Sequence, residues 1–478
     1  MAKRDTKSNG AAEPSVVSGR GGKLVIVANR LPVRKAKKGA KSVWETAPGG
    51  LVSALHPLLQ EVGGAWIGWD GTASRRASSQ FDHEGIRIRP VQITKDELQR
   101  FYGGFSNATL WPLYHDAIRE PAFHRHWWWP YVEVNKRFAT AALETSSTGD
   151  MVWVQDYQLQ LVPGMIREQR SGSRIGFFLH TPFPPEELFA KMPWRRQVLE
   201  GILGADVIGF QDKLSALNFS RTARRFTAAT GSDTRLKFNG RDIEVSAFPI
   251  SIDVDRYVEL ATDPEIIVAA ERFRASWDHR KIILGVDRLD YTKGIDTRLR
   301  AYEEVLRRGH HDARSVVMIQ VAVPTRESVD DYAELRENVE RYVGRINGSH
   351  AMTDYIAVHY VYRSLPIREL LACYLAADVM MVTPFRDGMN LVAKEYCVTR
   401  RKNTGVLVLS EFAGAAAELG EALKVNPYDI DGMANSIERA LDLDPADGKK
   451  RMQSLRRTVE RHTVHDWSDS FIKRLAAK

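Results

Sequence analysis

The chain has 478 residues, 44% apolar and 27% charged, with a formal net charge of +8 and only two cysteines. That length sets two domains as the expectation, and no apolar run approaches the ~20 residues of a bilayer span, which argues against a membrane protein. Cys373 and Cys397 give neither a disulfide framework nor metal-ligand spacing and fit a reducing cytoplasm, while the scatter of basic residues points to small anionic substrates rather than nucleic acid.

Residues 1–22, rich in Lys, Ser, Gly and Ala with no apolar segment, read as a disordered tail and not a signal peptide. Lys23–Ala28 is a first buried strand, ending in Asn29-Arg30-Leu31-Pro32. The basic run Arg34–Lys41 reads as a mobile surface loop. Pro48-Gly49-Gly50 then opens a helix whose apolar positions (Leu51, Val52, Leu55, Leu58, Leu59, Val62) fall at helical spacing. A Gly-Gly pair at a helix start lets a diphosphate approach the backbone, although Pro-Gly-Gly is equally an ordinary turn. Strands follow at Ala65–Trp69 and Ile86–Val91. Residues 101–135 hold an aromatic cluster, including Tyr102, Trp111 and Trp127 to Trp129, most of it expected in core or interdomain packing.

A regular alternation begins at strand Met151–Val154, closed by Gln155-Asp156-Tyr157. Strand Arg174–Leu179 is closed by His180-Thr181-Pro182, strand Asp206–Phe210 follows, and strand Ile243–Phe248 is the last of this half. Asp156 and His180 both stand just beyond strand C-termini, where open α/β sheets place their ligands. Pro249–Asp253 reads as a crossing into a second domain. Strands are expected there at Lys281–Val286, Ser315–Val323, Tyr355–Val361, Asp378–Val382, Gly405–Leu409 and Leu423–Val425. Helices fill the intervals, including one running through Glu418. Such βα alternation gives parallel, doubly wound sheets, and two in tandem leave a cleft between them.

The glycine-rich dinucleotide fingerprint is missing after both first strands, which weighs against nicotinamide-dependent dehydrogenases. The second domain instead offers Asp287-Arg288-Leu289-Asp290-Tyr291-Thr292-Lys293-Gly294, two cations in one strand-to-helix loop suited to a departing diphosphate. Thr383-Pro384-Phe385-Arg386-Asp387-Gly388 is a turn between a buried strand and a helix starting near Asn390. Its free backbone N–H groups favour an anion.

Several of these segments, in this order, resemble the trehalose-6-phosphate synthase family of retaining glycosyltransferases. They are Val27 to Pro32, Gly49-Gly50-Leu51, Phe105 to Pro112, Gly176 to Pro184, Arg288 to Gly294, Gly344 to Gly348 and Thr383 to Glu395. The resemblance spans about residues 23 to 475. It implies a GT-B fold of two Rossmann-like domains and metal-independent, cofactor-free transfer of glucose from a nucleoside diphosphate glucose to glucose 6-phosphate. An acceptor domain would occupy residues 23–250 and a nucleotide-sugar domain residues 251–455. A C-terminal helix within 456–478 would pack back on the first. By position, Arg30, Trp69, Tyr102, Trp111 and Arg326 would hold the acceptor, with Arg30 and Arg326 on its phosphate. Gly49 and Gly50 would approach the donor diphosphate, and Arg288 with Lys293 would neutralise it. Asp387, Gly388, Met389, Asn390, Leu391 and Val392 would grip donor glucose and phosphate, and Glu395 the ribose. Asp156 and His180 would stand near the reacting sugars. The family's His-Asp-Tyr-His pattern is here Gln155-Asp156-Tyr157-Gln158, which removes any role for the flanking histidines. A cytoplasmic homo-oligomer, dimer or tetramer, is also implied, with neither nucleic acid nor membrane as partner. A related transferase with another phosphorylated acceptor, or a silent sugar-phosphate sensor, are the alternatives, and the donor base stays open.

Overall fold

The computed structural model describes residues 22–38, 41–47, 50–76, 78–326 and 330–478. The tail expected at residues 1–22 lies outside them but for Gly22, and Gly49 lies outside them entirely. Among the described residues two large sheets form, one of ten strands and one of six.

The first sheet runs, edge to edge, through 230–231, 235–238, 241–247, 207–210, 174–179, 151–155, 24–30, 65–69, 86–90 and 81–83. Its interior pairs are parallel, and only the two edges carry antiparallel strands. Leu24–Arg30 is buried along six of its seven residues, as a strand covered by helices on both faces must be. The edge hairpin at 230–238 escapes a reading by apolar runs, because Arg235–Phe238 alternates exposed and buried positions. The second sheet, 358–361, 316–323, 281–288, 379–382, 406–410 and 423–425, is parallel throughout.

Both sheets place their first strand in the middle and wind outward in two directions. The reversals fall between Leu24–Arg30 and Met151–Gln155, and between Lys281–Arg288 and Val379–Val382. Connections on the two sides of each reversal leave in opposite directions, which opens a crevice at the strand C-termini.

Two expectations are corrected. Arg34–Lys41 is not a loop: Val33–Lys38 and Lys41–Thr46 pair as an antiparallel hairpin. Opposite charges face each other at Arg34 and Glu45, and Lys35 lies 5.0 Å from the Trp44 ring and 3.4 Å from Asp70. Cross-strand pairs of this kind hold a charged ribbon that composition alone reads as coil. The helix expected through Glu418 is only the short 3₁₀ turn Gly414–Ala417. Its first N–H groups are donated elsewhere, Gly414 to the Asp387 carbonyl (3.1 Å) and Ala415 to that of Met389 (2.8 Å). The segment therefore serves as the platform under the 383–390 turn.

Beyond helix Ile430–Leu441, helix Pro445–Glu460 stays with the second sheet and packs on helix Leu391–Thr399. Helix Val464–Ala476 returns to the first, where Phe471 stacks on Trp153 at 4.3 Å and Trp467 meets Phe178 edge-on at 5.2 Å. The two crossings of the chain are tied together: His462 Nε2 lies 2.8 Å from the Pro249 carbonyl oxygen, and Val464 N donates to that of Ile252 at 3.0 Å.

Candidate active site

The C-terminal strand ends of both sheets line one cleft of about 870 Å³, a volume suited to a nucleotide sugar and a second small molecule. Arg30 ends the central strand of the first sheet, and its guanidinium lies 4.6 Å from the Trp69 ring centre. Tyr102 comes from the π-helix Leu98–Leu110, a rare winding that is common at functional sites. Its ring stands 6.2 Å from Trp69. Trp111 opens the next short helix and is covered by Arg326, 3.9 Å from its ring centre, with Arg288 at 5.5 Å.

Asp156 follows strand Met151–Gln155 with its backbone in the left-handed half of φ space. Burial pushes its carboxyl up to about 6, against the pull of the Tyr157 and His180 N–H groups and the Arg288 charge. His180 is held from both sides. Gln211 Nε2 faces Nδ1 at 3.3 Å, its own amide oxygen being occupied by Ile250 N–H at 2.9 Å. The ring proton therefore sits on Nε2, which faces Gln155 Oε1 at 3.0 Å. Burial lowers the His180 pKa to about 3, so the imidazole is neutral. The glutamine at 155, where the family pattern has histidine, thus makes a specific contact.

On the opposite wall Arg288 ends strand Lys281–Arg288, and Lys293 sits in the 3₁₀ turn Tyr291–Lys293, donating to Asp387 Oδ2 at 2.5 Å. Burial works to raise the Asp387 pKa, but Lys293, His115 and an Asn390 hydrogen bond of 3.1 Å bring it below the ordinary carboxylate value. Asn390 has φ 75° and makes no side-chain cap, so the N-terminus of helix Leu391–Thr399 is open where Leu391 and Val392 line the cleft. Beneath the loops, the fully buried Arg298 bonds Asp287 at 2.6 Å, Gln320 at 3.0 Å and Thr383 at 3.0 Å.

The structure thus brings Arg30, Trp69, Tyr102, Trp111, Asp156, His180, Arg288, Lys293, Arg326, Asp387, Met389, Asn390, Leu391 and Val392 into one lining. Gly388 stands just behind it, packed so closely that an added Cβ would sit 2.0 Å from the His180 carbonyl oxygen. Glu395 lies outside the lining, accepting from the Tyr374 hydroxyl at 2.9 Å. Gly50 opens helix Gly50–Val62.

Asp290 passed unnoticed in the sequence although it lies inside the Arg288–Gly294 motif. It is fully buried and accepts from Arg326 (3.0 Å), Tyr332 (3.1 Å) and Trp111 (3.4 Å). Burial opposes its charge, but Arg326, Arg288 and Lys293 outweigh this and hold its pKa far below the ordinary range. His115 and Gln211 also line the cleft, and no local pattern marks them.

Comparison with known proteins bears on the family and the overall fold. The profile of glycosyltransferase family 20 matches residues 22–477. A trehalose-6-phosphate synthase of Mycolicibacterium gilvum is 48% identical over 471 residues, covering 95% of this chain and 94% of that one. An alpha,alpha-trehalose-phosphate synthase (UDP-forming) from Burkholderia xenovorans, solved in complex with glucose-6-phosphate, is 35% identical. It superposes with a TM-score of 0.87 over 95% of this chain and 100% of that one. An E. coli structure bound with UDP-2-fluoro glucose is 32% identical, with a TM-score of 0.89 over 96% and 99% of the two chains. The chain belongs to glycosyltransferase family 20 and is a glycosyltransferase with the two-domain GT-B architecture.

Proposed function

We propose that this glycosyltransferase moves glucose, with retention of configuration, from a nucleoside diphosphate glucose to glucose 6-phosphate, forming alpha,alpha-trehalose 6-phosphate. The observation that carries the reading is the division of the cleft. The first-sheet side presents aromatic faces and Arg30, with Arg326 of the second side reaching over Trp111, suited to a phosphorylated sugar, and the second side presents Arg288, Lys293 and an open helix N-terminus, suited to a diphosphate. The names of the relatives agree with it.

Transfer develops positive charge on the anomeric carbon and negative charge on the departing diphosphate. Two fixed cations and the backbone N–H groups at Leu391 and Val392 stabilise that negative charge without reorganising as it forms. Asp387 holds Lys293 in place and offers its remaining carboxylate capacity to the donor glucose. His180, neutral and with both ring nitrogens bonded to Gln155 and Gln211, fixes the strand-end loop beside the reacting sugars rather than trading a charge. The acceptor attacks on the face from which the phosphate leaves, and that phosphate takes the acceptor proton, so no residue is assigned as a nucleophile. Gly49 and Gly50 are read as a further diphosphate contact and Glu395 as a ribose contact beside the Tyr257 and Tyr374 hydroxyls it already accepts from.

Incubation with glucose 6-phosphate and UDP-, GDP- or ADP-glucose, followed by product analysis, tests this. Free nucleoside diphosphate and an alpha,alpha-linked disaccharide phosphate are expected, and the best donor identifies the base. Donor binding without product, across glucose 6-phosphate and other phosphorylated polyols, would replace transfer with sensing. Light scattering of the purified chain reads the dimer or tetramer that the resemblance implies.

A further inference from the structure

One cleft residue has chemistry to which no role has been given. His115 closes the short helix Trp111–Tyr114, is 1% exposed, and lines the cleft. Its Nδ1 lies 2.8 Å from the Trp111 carbonyl oxygen, which can only accept a hydrogen bond. Nδ1 therefore carries the ring proton, and Nε2, on the opposite edge, is a bare acceptor. The hydrogen bond found for the ring is this one through Nδ1. The imidazole rests against Trp111, ring centres 4.1 Å apart, within electrostatic range of Lys293, Asp387 and Asp290. Burial drives its pKa down to about 4, which keeps it uncharged.

The charged neighbours are already committed to one another, Lys293 to Asp387 and Arg326 to Asp290. A neutral acceptor among paired charges is matched by an O–H donor. A carboxylate at this place would compete with Asp387 for Lys293 and repel a diphosphate, whereas imidazole accepts without adding negative charge. We infer that His115 Nε2 accepts a hydrogen bond from a sugar hydroxyl where the two substrates meet, and so helps select which hexose is transferred or received. This rests on the sugar-transfer reading above.

The alternative is that His115 only caps its helix through Nδ1, and His115→Asn separates the two roles. The asparagine amide reproduces the N–H donor at Nδ1 and deletes the acceptor at Nε2. His115→Gln instead carries an amide oxygen out towards the Nε2 position. Wild type and both variants are compared by thermal unfolding, by titration with glucose 6-phosphate and with UDP-, GDP- and ADP-glucose, and by kcat/KM. Monodeoxy analogues of each sugar are included.

The expected result is that His115→Asn unfolds at the wild-type midpoint but loses about 10- to 100-fold in kcat/KM, the consequence of leaving a polar group unpaired in the closed site. It should also stop discriminating against one particular deoxy sugar, and His115→Gln should recover part of both effects. Because the ratio of natural to deoxy sugar is taken within one protein, it decides the matter if a variant is less stable, and His115→Gln supplies it if His115→Asn does not fold. Wild-type kcat/KM and wild-type discrimination in His115→Asn would overturn this inference alone. A wild-type protein that neither binds nor converts these sugars would overturn the transfer reading and this inference with it.

Discussion

At Asp156 the backbone takes φ 72° and ψ 172°, a region that a side chain rarely adopts. The surrounding bonds enforce it: Asp156 N donates to the Phe178 carbonyl at 2.7 Å, and His180 N donates to Oδ1 at 3.2 Å. The carboxyl is thereby aimed into the cleft, where burial raises its pKa to about 6. Above that value it is a carboxylate and below it a neutral acid, so kcat/KM should rise with pH through an apparent pKa near 6. His180 and His115 titrate at about 3 and about 4, and Asp387 and Asp290 are shifted down, so none of these moves in that window. The acceptor phosphate also titrates near pH ~6. The same profile measured on Asp156→Asn shares that substrate effect, and the residue's own limb should be the part that disappears. Arg326→Ala should raise the acceptor KM by at least about 10-fold while leaving donor affinity near wild type. Because Asp290 then loses a buried cation, the double change with Asp290→Asn is the control. Equal losses for donor and acceptor would reassign Arg326.

The turn from Thr383 to Asn390 works only with its platform. Gly388 approaches the His180 carbonyl so closely that a Cβ would lie 2.0 Å away, and Gly414 approaches the Gly388 carbonyl to 1.9 Å on the same measure. Gly388→Ala must therefore push the turn from the loop that carries His180. Calorimetry should show donor binding weakened by at least about 10-fold, with stability reduced by ~1–3 kcal/mol, the usual cost of overpacking. Unchanged donor affinity would mean that the turn does not contact the donor. The strands of this half were legible because most are short runs dominated by apolar residues, as in Val379–Val382 and Val406–Ser410, and the loops because chemistry gathers just past strand ends. The ribbon of Val33–Lys38 and Lys41–Thr46 was not, since its charges meet their partners across the ribbon and at Asp70. The 413–419 segment was not, since the N–H groups of Gly414 and Ala415 answer a distant turn.

Across the whole molecule, the last helix makes the first half dependent on the end of the chain. Trp467 is fully buried against Trp153, Phe178 and His180. Trp467→Ala should cost ~3–5 kcal/mol in urea unfolding, and should also lower activity, because it empties the space behind the His180 ring. A loss of stability with full activity would separate the helix from the site. Lys394 adds a second tie, donating to the Ile250 carbonyl at 2.9 Å and to Glu418 at 2.8 Å. It links the helix behind the 383–390 turn to the chain crossing at 249–252, so a shift in one is transmitted to the other.

By itself the sequence determined the two doubly wound sheets, the strands whose ends carry Arg30, Asp156, His180 and Arg288, and the turn that carries Asp387. Each of these is encoded locally, by apolar runs, by punctuation and by reactive side chains beside it. Tertiary structure alone decided that Lys293 pairs with Asp387, that Asp290 gathers Arg326, Trp111 and Tyr332, and that Gln155 and Gln211 set the His180 tautomer. It alone placed His115 among them. These are contacts between residues far apart in the chain. Their charge states come from burial and from the neighbours that folding brings together, and no stretch of sequence carries that information by itself.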